Sequence, residues 1–94
     1  MKLRLLDLAE DDLLGGFLFY ERQPSRIGSY FLESLYSDIE SLRLYAGIHR
    51  EVPGYYKLLS KRFPYAIYYK LEGEEISVGE CWTAGASLNG FESN

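Results

Sequence analysis

Between Arg43 and Lys70 the chain gathers Arg43, Arg50, Lys57, Lys61, Arg62 and Lys70 against a single acid, Glu51. The flanks have the opposite sign. Residues 1–42 hold four basic and eight acidic residues, and no Lys or Arg follows Lys70. Cations at this density can hold a polyanion or an acidic protein segment, whereas the overall charge of −4 argues against a general nucleic-acid binder. The same stretch carries Tyr55, Tyr56, Tyr65, Tyr68 and Tyr69. On a strand, alternate members of such a series pack inward, and the others face out where a partner can touch them.

The remaining reactive side chains carry little chemistry. His49 is the one histidine and has no nucleophile near it in the sequence, so it reads as a loop histidine rather than a catalytic base. Cys81, also alone, allows no disulfide within the chain, and without a Cys/His cluster there is no zinc site. No cation stands beside it to stabilise a thiolate. Glu72, Glu74 and Glu75 read as a solvated turn rather than a metal site, because a cation needs further oxygen ligands. No cofactor or metal is expected.

The elements that must position these residues follow from periodicity. With 94 residues the chain has room for one core, and 47 % hydrophobic with 26 % charged residues is an ordinary globular balance. No signal peptide or membrane span is visible, so a soluble cytoplasmic protein is the expectation. Lys2 to Leu6 alternates as a strand does. Asp7 is placed to cap a helix from Ala9 to about Arg22, with Leu13, Leu14, Phe17 and Leu18 on its apolar side. Gly15 and Gly16 weaken that helix by about 1 kcal/mol each, so another element should pack closely over them. A second helix begins near Ile27 on the stripe Phe31, Leu32, Leu35, Ile39 and Leu42, with Asp38 off the stripe and Gly47 past its end.

Beyond Gly47 the period falls to two. Tyr55 to Phe63 and Tyr65 to Leu71 read as strands either side of Pro64, and Glu72-Gly73-Glu74 turns the chain into Ile76 to Val78. The expected fold is α+β in the order β-α-α-β-β-β, a helical hairpin laid on an antiparallel sheet.

The run KRFPYAIYYKLEGEEISV, Lys61 to Val78, and the upstream AEDDLLGGFLFYERQ resemble the hairpin strands and first helix of the RelE/ParE toxin superfamily, which includes plasmid stabilisation proteins. The resemblance covers Met1 to Val78. It implies a cytoplasmic toxin that inhibits growth and is neutralised by a cognate antitoxin. Some members are ribosome-dependent mRNA endonucleases, and others act on DNA gyrase. In the first class cations stabilise charge on phosphorus while other groups move protons. Lys57, Lys61 and Arg62 stand at strand positions resembling the basic residues of that site. An antitoxin segment laid over the sheet would meet Arg43, Arg50, Tyr55, Lys57, Tyr69 and Lys70.

Departure from the family begins at Gly79, dividing the chain into a toxin-like domain, residues 1–78, and an atypical tail, residues 79–94. Family members continue into a strand of the type YAVLDCRR-P, whose arginines serve the functional face; here the chain reads GECWTAGASLNGFESN. Reverse-translated with suitable synonymous codons, Glu80 to Asn94 yields VLDCRRKPERIREQ in a shifted frame. Its Leu and Asp are forced by Cys81, Trp82 and Thr83 whatever codons are used. A frameshift near Gly79 therefore accounts for the tail. The expected consequences are a weakened or inactive toxin, an exposed sheet edge inviting homodimers, or a remnant that only titrates antitoxin.

Overall fold

The computed structural model describes residues 2–83. Strand β1 (Lys2–Leu5) leads into α1 (Asp7–Glu21) and α2 (Gly28–Glu40), followed by the short α3 (Leu42–Tyr45). Then come β2 (Arg50–Val52), β3 (Tyr55–Leu59), β4 (Tyr65–Glu72) and β5 (Glu75–Thr83). They form one five-stranded sheet in the order β1-β5-β4-β3-β2.

The α+β layering matches expectation, but the sheet is mixed, not antiparallel throughout. β1 runs parallel to β5, with Leu3 beside Ile76 and Leu5 beside Val78. Parallel neighbours need a crossover connection, and the helical hairpin begins it. Two elements go beyond the expected order. β2 is only three residues long, too short to show a period, and is folded onto β3 by a turn in which Gly54 takes φ +82°. Ser41 separates α2 from α3, and Gly47, at φ +98°, lies past the end of α3. Asp7 is the first residue of α1 rather than its cap, a position where its carboxylate still meets free backbone N–H groups.

β5 does not stop at Val78. A bulge opposite Tyr68 and Tyr69 shifts the register so that Tyr69 faces Val78 and Tyr68 faces Glu80. Gly79 is the extra residue this bulge absorbs. Cys81 then falls on the inner side opposite Ile67 and is buried as a small apolar group. Residues 84–94, the rest of the proposed out-of-frame segment, lie outside the described residues.

The helices cover one face of the sheet. Phe31, Leu35, Ile39 and Leu42 meet Ile67, Tyr69, Ile76, Val78 and Cys81 in a single core. Burying a side chain such as Phe31 stabilises by roughly 1.5–3 kcal/mol. At one end Phe31 lies edge-on to Phe63 and Tyr65, with ring centroids 5.1 and 4.9 Å apart, and Tyr20 closes the cluster. Gly16 is where α1 approaches this cluster, and a Cβ there would collide with the Phe31 ring. Gly15 differs. Nothing lies within 4 Å of where its Cβ would be, so the expected close packing occurs at only one of the two glycines.

Asp38, read as lying off the apolar stripe, is buried at 5 % exposure. Its Oδ2 accepts from Ser60 Oγ at 2.7 Å and from the Lys61 backbone N–H at 3.3 Å. It fastens the β3–β4 connection to α2, and those bonds offset the cost of burying a carboxylate.

Candidate functional site: the outer face of the sheet

Side-chain alternation separates the two faces of the sheet. Tyr56, Leu58, Tyr65, Ile67, Tyr69 and Leu71 join the core beneath the helices. The residues between them, Lys57, Ala66, Tyr68 and Lys70, therefore belong to the outer face. Cross-strand register arranges this face in two rows. Arg50 stands opposite Lys57, Lys57 opposite Tyr68, and Tyr68 opposite Glu80. In the second row Ser77 lies between Arg4 and Lys70. The Lys70 ammonium sits 5.1 Å from the centroid of the Tyr55 ring, and Tyr68 is edge-on to Tyr55 and Trp82.

Two features of these rows are unfavourable in the chain by itself. Arg50 and Lys57 are like charges directly opposite on neighbouring strands, which destabilises a sheet. Ser77 Oγ and Glu80 Oε1 are buried without a hydrogen-bond partner. Both residues line a cleft of about 350 Å³ bounded by Arg4, Leu6, Leu8 and Tyr55. Tyr55, Lys70 and Glu72 form the ridge between this cleft and a second of about 320 Å³ that runs past Val52 and Gly54. What this face exposes is the Arg50 and Lys70 cations and the apolar wall of Leu6 and Leu8, whereas Ala66, Tyr68, Ser77 and the Glu80 Oε1 atom are buried.

The residues singled out from sequence do not all reach this face. Arg50, Tyr55, Lys57 and Lys70 do. Tyr69 does not: it is 0 % exposed and points into the core. Its hydroxyl accepts from the Gly47 N–H at 2.9 Å and lies 2.5 Å from His49 Nδ1. Burial pushes the Tyr69 pKa up and the His49 pKa down, and the contact between the two side chains pins the loop before β2. Arg43 lies on α3, paired with Glu40 at 2.7 Å and away from both rows. Lys61 and Arg62 are exposed in the β3–β4 connection, not on a strand, because β3 ends at Leu59. Four residues beyond Lys57 carries Lys61 on the order of 10 Å along the chain. The three expected catalytic cations therefore do not share one strand.

Asp12, Ser77, Glu80 and Trp82 were missed from sequence. Asp12 accepts the Cys81 backbone N–H at 3.0 Å, closing a stretch of the β5 edge that β1 leaves uncovered; burial raises its pKa. Burial, with Asp12 and Glu80 nearby, pushes the Cys81 thiol up to about 12, an unreactive state. Among the described residues no group of His, Cys, Asp and Glu could hold a metal ion, and no helix is long and apolar enough to cross a membrane.

Among solved structures the chain is similar to a chain of the chromosomal ParDE TA system from P. aeruginosa, with a TM-score of 0.81 and 23 % identity. The match covers 88 % of this chain and 95 % of that one. The fold is therefore the ParE-like α+β fold. No protein-family model and no curated protein matches the sequence.

Proposed function

We propose that this chain is the toxin component of a type II toxin–antitoxin module, and that its antitoxin lies across the outer face of the sheet. The observation that carries this reading is the likeness in fold to the ParDE chain over 88 % of this chain. The face itself supports it. An acidic side chain from the antitoxin relieves the Arg50–Lys57 repulsion and pairs with the exposed Lys70. Apolar residues of the same segment fill the cleft beside Tyr55.

In this reading the chain is a weakened or inactive toxin. Residues 79–94 contain no Arg, Lys or Tyr, so the cations that the family carries after its last strand have no counterpart. Losing such groups costs a nuclease several powers of ten in rate. The frameshift near Gly79 remains the account of that loss, and the gene's nucleotide sequence tests it directly. A single insertion or deletion must restore VLDCRRKPERIREQ.

The functional test is paired induction in one host of this chain and of a version carrying the restored tail. Growth arrest by the restored chain alone is the expected result. Cleaved mRNA in the arrested cells assigns a ribosomal target, and DNA damage assigns gyrase. Growth unaffected by either chain overturns the toxin reading.

A further inference from the structure

We infer that α1 is the contact surface of a symmetric dimer, in which two copies pair this helix antiparallel and each Leu18 enters the notch at the partner's Gly15. Gly15 is not required by packing within the monomer. Its neighbour Gly16 is required by the Phe31 ring, whereas a side chain at Gly15 would meet nothing within 4 Å. A glycine in an exposed helix interior weakens the helix, and packing within this chain does not call for it.

Gly15 lies in the middle of a seam. Asp11, Gly15, Leu18 and Arg22 follow one another at steps of four, three and four, which align along one side of a helix. That side is opposite Ala9, Leu13 and Gly16, which face the core. Leu14 and Phe19 flank the seam, each 56 % exposed, and Leu18 is 39 % exposed. These are large apolar side chains on the side of the helix turned away from the core.

The seam is complementary to itself. With a two-fold axis passing between Gly16 and Phe17, an antiparallel copy brings Asp11 opposite Arg22 and Gly15 opposite Leu18, while Leu14 and Phe19 border opposite sides of the seam. Each contact occurs twice, as an isologous interface demands. Opposite charges meet at both ends, and the largest central side chain meets the smallest. Neither Asp11 nor Arg22 has an ion-pair partner among the described residues. One helix pair buries less area than a standard stable interface, so the dimer belongs to the weak, reversible class. It leaves the outer face of the sheet uncovered and does not depend on the toxin reading.

Sedimentation velocity of the full chain over a concentration series from about 1 µM to about 500 µM, the range in which small, weak interfaces associate, tests this. A monomer–dimer equilibrium is expected, with Leu18→Glu raising the dissociation constant at least about tenfold. Leu18 is exposed in the monomer, so this change should leave the circular dichroism spectrum intact. Gly15→Ala should raise the thermal midpoint of the dilute monomer yet weaken the dimer, a combination that a purely local role for Gly15 does not give. Asp11→Arg should weaken association, and adding Arg22→Asp should restore it. A chain that stays monomeric throughout, or a dimer indifferent to Leu18→Glu, overturns the proposal.

Discussion

The two faces of the sheet are built on opposite terms. On the inner side, Ile67, Tyr69, Ile76 and Val78 are sealed by the helices, and the polar atoms of Tyr69 and Asp38 have partners, with Ser34 Oγ on α2 the exception. On the outer face, like charges oppose one another at Arg50 and Lys57, and two buried oxygens, on Ser77 and Glu80, have none. The same strands carry both patterns, because alternation lets one stretch of chain serve two environments. The inner pattern is what folding in isolation requires. The outer one is costly to the free chain, which is what the proposed antitoxin contact would relieve.

Substitutions can break or sharpen this contrast. The largest effect is expected at the inner aromatic cluster: Phe31→Ala should cost about 3–5 kcal/mol, measured by chemical denaturation, and in so small a domain should unfold much of the population. Asp38→Ala should cost about 1–3 kcal/mol, because Ser60 and the Lys61 N–H lose their acceptor; hydrogen exchange should localise the change to the β3–β4 connection.

His49→Gln tests the inner face through pH. The folded-state pKa of His49 is lowered from 6.5 by burial, so the unfolded chain binds the proton first. The stability His49 contributes is complete above about pH 6.5 and is lost as pH falls through the lowered folded-state value. Thermal midpoints of the His49→Gln protein should therefore vary less between pH 7 and pH 5 than those of the parent. The smallest effect is expected on the outer face. Lys57→Glu removes the clash with Arg50 and should shift stability by no more than about 0.5 kcal/mol. A loss there as large as that of Phe31→Ala would erase the distinction between the faces.

The inner face was the more legible of the two in the sequence. The stripe Phe31, Leu35, Ile39, Leu42 and the aromatic β4 run are long periodic signals, and both elements appear where those signals lie. Asp38 was misplaced because a carboxylate reads as solvent-facing unless its partners are known, and Ser60 and Lys61 lie more than twenty residues away in the chain. β2 is shorter than a period can show, and the direction of β1 is set by a pairing across most of the chain. Arg50, Tyr55, Lys57 and Lys70 were legible as part of a basic, tyrosine-rich block. Tyr69 was assigned to the wrong face, since alternation alone does not say which phase faces the helices. Ser77 and Glu80 carried no signal: their significance is an absence of partners, visible only once the neighbours are in place.

The adjacency of β1 and β5 sets an order of assembly. Leu3 can find Ile76 only after nearly the whole chain has been made, whereas the helical hairpin and the β3–β4–β5 meander close over short loops. The early-forming parts meet first, and the amino-terminal strand docks last. Until it does, the β5 edge from Glu75 to Val78 stays unpaired, a template for any other extended chain. Docking of β1 is thus also the step that covers this edge, and a segment that reached β5 first would compete with it.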